Sequence, residues 1–327
     1  MESKPEFPSS LQDAIRYFDD PDVCVEFLAS LRWPNGVQCP ACEEKRATFL
    51  KTRRIWKCKE CGRQFSVKIG TVLEESPVPL DKWLTAIWLV VNCKNGVSSY
   101  ELAKDLDITQ KSACFMLHRI REALKRNSWD NTKIGGPNSE VEVDETWIGG
   151  KAANMHKARR IRYEQAGGHH GKTVVMGLFD REQRAIRAKV VPNVKRETLQ
   201  NEVLNNIKYG TTVYTDDAPA YDLLHWRYIH DTVNHAEQYV KGAVSTNSLE
   251  NFWSLFKRNL RGTYVSVEPF HLERYLDEQV WRFNHRGGKK KSERITDADR
   301  FVLACSQITG KRLTFAELTG KVQQEAF

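Results

Sequence analysis

Between Ser245 and Gly262, the residues Leu249, Phe252, Trp253, Phe256 and Leu260 recur at three- and four-residue spacing. That period predicts a helix with one apolar face. Glu250 lies about 100° round from Leu249, at the edge of this face, and Lys257, seven residues on, lies only about 20° further. Ser254 and Arg261 share the same polar stripe. The same period predicts a helix over roughly 81–94, around Trp83, Ile87, Trp88 and Val91. A second begins at Ser98, with Glu101 three residues later as in a capping box, and carries Leu102, Ala103 and Leu106. Asp107 and Ile108 make a short turn, and Thr109 caps a third helix with Ala113, Leu117, Ile120 and Leu124 on its apolar side. After Gly135, Gly136 and Pro137 the period changes to two. "EVEVDETWIGG" (140–150), "KTVVMGLFD" and "AIRAKVVP" read as strands, the last two a hairpin turning near Arg181–Gln183. "VKRETLQNEVLNNIKYG" reads as a helix ending at Gly210, and "TTVYTDDAPAY" as a fourth strand with acids at its C-terminal end. The order is β-β-β-α-β, then α, which lets the strand bearing Asp144 lie beside the strand ending at Asp216.

The 327 residues suffice for two or more domains, and 40% hydrophobic content excludes global disorder. The net charge of +8 is unevenly spread: residues 1–31 carry −5 and the remainder +13. A basic body points to a polyanionic partner, with nucleic acid the first candidate. "MESKPEFPSS" lacks the order of a signal peptide, and the most apolar run, "WLTAIWLVV", is too short to span a bilayer. The expectation is a cytoplasmic protein without membrane contact.

Four of the eight cysteines form "CPAC" (Cys39, Cys42) and "CKEC" (Cys58, Cys61), fifteen residues apart. This is the spacing of a four-thiolate Zn²⁺ site, and a closed site of that kind is structural. Gly62 suits the turn that the second knuckle needs. Two disulfides are the rival reading, but nothing indicates an oxidising compartment. "SSYELAKDLDITQKSACFMLHRIREAL" has the proportions of a helix-turn-helix, whose third helix would offer Gln110, Lys111, Ser112 and Phe115 to a major groove. The alternative is a plain three-helix packing module. Two basic stretches, 151–172 and 281–294, suit a DNA path or a solvated loop equally well.

Two strand carboxylates, Asp144 and Asp216, and one helix carboxylate, Glu250, form a set able to hold two hard divalent cations, the clamp that phosphoryl transfer needs. On "CPAC…CKECGRQFSVKIGTV", "VDETWIGG", "YTDDAPAY", "HDTVNHAEQYV", "STNSLENFWSLFKRNLRGTY" and "HLERYLDEQVWRFNHR", the chain resembles the DDE transposases of bacterial insertion sequences. The likeness is greatest to the ISXO-type group, which fuses a zinc ribbon to an RNase H-like domain of the retroviral integrase superfamily. The resemblance covers nearly the whole chain. It implies catalytic acids at Asp144, Asp216 and Glu250, and a following basic residue at Lys257. One departure is Asp217, where a glycine is common, which leaves a second candidate beside Asp216. Lys257, Arg258 and Arg261 would then face DNA phosphates.

The expected organisation is multidomain. An acidic helical segment (1–35) precedes a zinc ribbon (36–72), a helix-turn-helix-like domain (78–128), an α/β RNase H-like catalytic domain (138–290) and a C-terminal tail (291–327). The implied activity is Mg²⁺- or Mn²⁺-dependent cutting of DNA at the terminal inverted repeats and strand transfer into target DNA, by a homo-oligomer assembled on DNA and associated with the bacterial nucleoid when bound. The alternative is a domesticated zinc-ribbon and helix-turn-helix regulator with no catalysis. A resolvase or RNase of the same fold would not need two DNA-binding modules.

Overall fold

The computed structural model describes residues 7–125, 132–149, 157, 160–161, 171–233, 246–287 and 295–320. The basic stretch 151–172 therefore falls almost wholly outside the described residues, as do most of "HDTVNHAEQYV" and residues 288–294 of the second basic stretch. The chain divides into two units, 1–125 with 285–327, and 126–284.

The first unit opens with helices α1 (Leu11–Tyr17) and α2 (Pro21–Arg32), capped by Ser10 and Asp20. The ribbon follows as a three-stranded antiparallel sheet: β1 (Ala47–Leu50), β2 (Ile55–Cys58) and β3 (Gln64–Phe65). Three helices come next: α3 (Leu80–Asn92), α4 (Ser99–Asp105) and α5 (Gln110–Leu124). Ser98 and Thr109 cap α4 and α5 through their side chains, as the sequence pattern predicts.

The second unit is built on a five-stranded sheet: β4 (Glu140–Ile148), β5 (Thr173–Asp180), β6 (Ala185–Val191), β7 (Thr212–Asp216) and β8 (Ile229–Val233), in the order β6-β5-β4-β7-β8. The first three strands are antiparallel; β7 and β8 run parallel to β4. Strand β8 escapes the sequence reading because "IHDTV" lies at the sheet edge, where Ile229 is 61% exposed and no apolar alternation is required. Helix α6 (Arg196–Asn206) ends before Gly210, contrary to expectation. Lys208 donates its amide to Ile134 and Ile134 donates to Asn206, so the chain leaves the helix to pair with residue 134.

Each sheet face has its own core. Val141, Val143, Met176, Leu178 and Val213 pack against Leu199 and Val203 of α6. On the other face, Val175, Phe179 and Ile186 meet α7 (Asn247–Asn259) and α8 (Leu272–Asn284) through Leu249, Phe252, Trp253, Phe256, Leu276 and Phe283.

Residues expected as a C-terminal tail instead form α9 (Asp297–Ser306) and the short α10 (Phe315–Leu318), packed into the first unit. Phe301 is fully buried, 5.5 Å from the Phe18 and Phe27 rings and 5.1 Å from Trp88. An apolar residue at that position has somewhere to go, which a solvated tail would not offer. Among the described residues no helix is long and apolar enough to cross a membrane.

Candidate active site

Strands β4 and β7 lie side by side in parallel, with the rungs Glu140↔Thr212, Val141↔Val213 and Glu142↔Tyr214. Asp144 and Asp216 each stand two residues beyond the last of these rungs, on the same side of the sheet and at the same level. Helix α7 covers that face. Opposite Asp144 on β5 is Gly177, where an added Cβ would lie 2.7 Å from the Trp253 ring and 2.9 Å from Leu249. The missing side chain lets α7 settle close to the sheet. Its indole then reaches Asp144: Trp253 Nε1 donates to Oδ2 at 3.0 Å, while the Glu145 amide donates to Oδ1 at 2.9 Å. Glu250 sits in the first turn of α7, three residues before Trp253.

Asp144 feels the charges of both other acids. Burial lifts the Asp144 carboxyl from its ordinary 3.8 to about 6, helped by the charges of Asp216 and Glu250 and opposed by the two hydrogen bonds. Glu145, on the opposite face, is pushed up to about 9 by burial and then by Asp144 and Asp216. Its Oε1 is buried without a hydrogen-bond partner among the described residues. The charge of Asp216 thus reaches both acids of β4. Asp217 is exposed and contributes to neither shift.

The expected cations divide. Lys257 is held below its ordinary lysine value by burial and by Arg261 and Lys172, while Asp144 draws it upward. Lys257 therefore stands within reach of the Asp144 charge, and Arg261 within reach of Lys257. They line a cleft of about 160 Å³ with Trp147, Ile148, Gly149 and Val265. Arg258, a residue further along α7, is exposed on another side. The α-helix ends at Asn259 and passes into a π-helical turn over Leu260–Tyr264, so Arg261 does not continue the regular stripe read from the sequence.

In the ribbon, one ligand atom from each of Cys39, Cys42, Cys58 and Cys61 lies within 4.8 Å of the others. Each knuckle closes by a backbone turn: Cys39 accepts from the Glu43 amide and Cys58 donates to Arg63. The residue after each pair takes a left-handed conformation, Glu43 at φ 60° and Gly62 at φ 69°. Four convergent thiol groups on two rigid turns fit a tetrahedral soft-ligand site.

The third helix of the three-helix module presents fewer free groups than its sequence suggests. Gln110 Nε2 donates to Ser99 Oγ at 2.9 Å, and the Ser112 and Thr109 hydroxyls bond each other at 2.9 Å. Lys111 is exposed, with its ammonium 5.1 Å from the centre of the Phe315 ring. Phe115 packs on that same ring, at 6.0 Å.

Two contributors were not legible in the sequence. Glu145 was visible only as a strand residue, and its ionisation depends on which face it occupies. Glu142 is a buried carboxylate whose Oε2 accepts the amides of Ser248 (3.0 Å) and Leu249 (3.3 Å). No local pattern announces a helix capped from a strand more than a hundred residues away.

Residues 134–284 match the ISXO2-like transposase domain, and residues 20–64 match the transposase zinc-ribbon domain. A protein in the transposable element ISH50 of Halobacterium salinarum is 29% identical over 264 residues, covering 76% of this chain and 86% of its own. A transposase-like protein of Haemophilus influenzae is 35% identical over 97 residues, covering 29% of this chain and 78% of its own. The catalytic core domain of HTLV-2 integrase, solved in complex with magnesium, overlaps loosely: TM-score 0.30, 13% identity, 49% of this chain and 94% of that one.

Proposed function

This chain belongs to the ISXO2-like transposases, which makes it a DNA-cleaving and strand-transfer enzyme, and we propose that Asp144, Asp216 and Glu250 are its catalytic acids. The observation that carries this reading is geometric: Asp144 and Asp216 stand at one level of adjacent parallel strands, on the sheet face that α7 covers with Glu250 in its first turn. Oxygen donors crowded against their own repulsion suit a hard divalent cation, so these residues would hold Mg²⁺ or Mn²⁺. Bound there, such ions supply Lewis-acid stabilisation to the attacking and leaving oxygens of a phosphodiester. Trp253 and the Glu145 amide fix the Asp144 rotamer beforehand, one hydrogen bond on each oxygen. Lys257 and Arg261 meet DNA phosphates at the rim, and Arg258 adds to the flanking field.

Cys39, Cys42, Cys58 and Cys61 would hold Zn²⁺ structurally, giving the ribbon a fixed shape for contact with the terminal inverted repeats. In α5, Lys111 is the residue best placed for a phosphate. Gln110 and Ser112 would have to release Ser99 and Thr109 before reading a base edge. The active form is a homo-oligomer on DNA that brings two element ends to one target. A non-catalytic regulator would have no use for three carboxylates kept together against their own repulsion.

The test is divalent-metal-dependent cleavage of a labelled duplex bearing the inverted repeat that flanks the gene, run beside a gel-shift. Asp144→Asn, Asp216→Asn and Glu250→Gln should each lose on the order of a hundredfold or more in cleavage with binding retained. Asp217→Asn should retain substantial activity. Full cleavage by Asp144→Asn or Glu250→Gln would reject the assignment.

A further inference from the structure

The three acids repel one another and stand on three separate carriers, β4, β7 and α7. Keeping them in register requires a tie among the carriers. Helix α7 lacks the usual local one: its N-cap residue, Thr246, makes no side-chain capping bond. The amides of Ser248 and Leu249 are satisfied instead from the sheet, by Glu142 Oε2. The other oxygen, Oε1, accepts from Arg181 Nε at 2.7 Å. Arg181 also reaches Glu140 at 2.9 Å, and its guanidinium lies 4.5 Å from the centre of the Tyr214 ring.

These contacts share one level of the fold. Glu142 pairs with Tyr214 across β4 and β7, and that rung directly precedes the level of Asp144 and Asp216. Ser248 and Leu249 directly precede Glu250. A single node thus touches all three carriers within two residues of each acid. We propose that Glu142 is a positioning residue which, with Arg181, docks the N-terminus of α7 on the β4–β7 rung and so sets Glu250 in register with Asp144 and Asp216. The inference rests on reading those three acids as one metal-holding set.

Glu142 is not itself a fourth ligand. It is 1% exposed, and both of its oxygens are already engaged by N–H donors. Its action on the reaction runs through Glu250. Displacing α7 by part of a turn moves the Glu250 carboxylate by about 1.5 Å for each residue of slippage, enough to spoil a shared coordination sphere.

The experiment uses the full chain and Mn²⁺. Its affinity is read without DNA by water-proton relaxation, and with DNA by cleavage of the flanking inverted repeat. Glu142→Gln keeps the shape but offers one acceptor oxygen to three donors. It should raise the Mn²⁺ midpoint about tenfold, in the range of lost outer hydrogen bonds to ligands. Exchange of the Ser248 and Leu249 amides should speed up, gel-shift affinity should stay within about twofold, and cleavage should recover at saturating Mn²⁺. Glu142→Asp keeps the charge with a shorter reach, should shift the midpoint less, and carries the test if Glu142→Gln does not fold. Leu276→Ala, which opens a cavity under α8, should lower Tm without moving the midpoint.

An unchanged midpoint with both amides still protected would overturn the proposal, and so would an equal shift in Leu276→Ala. Failure of the underlying reading is distinct: the wild-type chain would then show no carboxylate-dependent Mn²⁺ binding, or Asp144→Asn would keep the wild-type midpoint.

Discussion

Asp144 and Glu145 are neighbours in sequence that a strand sends to opposite faces, and their two ionisations should separate in a stability experiment. Each has a folded-state pKa raised above its ordinary value, so each favours folding below that value and costs stability as pH rises towards the folded one. For Asp144 the window runs from 3.8 to about 6, and for Glu145 from 4.5 to about 9. In metal-free protein Asp144→Asn should therefore raise Tm at pH 7, by on the order of 2–4 °C. The gain should vanish at pH 4 and level off above pH 6. Glu145→Gln should also stabilise, but its gain should keep growing to about pH 9. Because Glu145 stands on the sheet face opposite Asp144, its amide replacement should leave Mn²⁺ binding and cleavage near wild type. Scanning calorimetry across pH checks the first pair of statements. A Glu145→Gln protein unable to bind Mn²⁺ would move the ligand set onto that residue. That Asp144 and Asp216 stand on neighbouring strands and Glu250 on the helix was legible, because motif and period carry those elements. The ionisation of Glu145 and the cap supplied by Glu142 were not, because both depend on which side chains the sheet and helix bring together.

Elements whose own period matches their burial were readable, and those shaped by a neighbour were not. The apolar face of α7 is in the sequence because half of that helix must be buried. Its ending is not, since a π turn over Leu260–Tyr264 follows from what surrounds it. Tyr264 donates its hydroxyl to Glu278 at 2.5 Å, and Glu278 pairs with Arg282 at 2.6 Å, both buried on α8. The chain then reverses in a tight γ-turn: Ser266 donates its amide to Tyr264 at 2.6 Å, and Val265 between them sits at φ 60°, ψ −56°. A β-branched residue is strained there, and this one is 78% exposed, so it gains little packing in return. Val265→Gly should relieve about 1 kcal/mol and raise Tm by roughly 2–4 °C. Since Val265 lines the cleft with Lys257 and Arg261, the same change should loosen the rim and weaken the binding of cut DNA ends. Thermal melts beside end-binding titrations read both effects. A drop in Tm of similar size would show that Val265 contributes packing and not strain.

At the scale of the molecule, the first unit is discontinuous: the chain leaves it after residue 125, builds the second unit, and returns at 285. The sequence marks the cysteines, the three-helix module and the change to strands, but carries no sign of that return. "DADRFVLACS" is too short for its period to name a distant partner. The return is nonetheless structural. Arg119 Nε donates to the Leu313 carbonyl at 3.2 Å, Lys311 Nζ reaches the Ala123 and Lys125 carbonyls at 2.6 Å, and Val72 donates its amide to Ile308 at 3.0 Å. Phe301, fully buried among Phe18, Phe27 and Trp88, ties α9 to α2 and α3. Replacing it with alanine removes a whole aromatic ring from a packed site, so Phe301→Ala should cost the first unit about 3–5 kcal/mol. The second unit has its own two cores and its own acids, so its Mn²⁺ affinity should be unchanged at temperatures where the first unit has begun to melt. Calorimetry combined with Mn²⁺ titration decides the matter. If Phe301→Ala lowers the first transition and abolishes end binding while the Mn²⁺ midpoint holds, DNA binding lies with the discontinuous unit and metal binding with the other. If the midpoint moves with the transition, the two units unfold as one, and the site depends on residues that come from beyond 284.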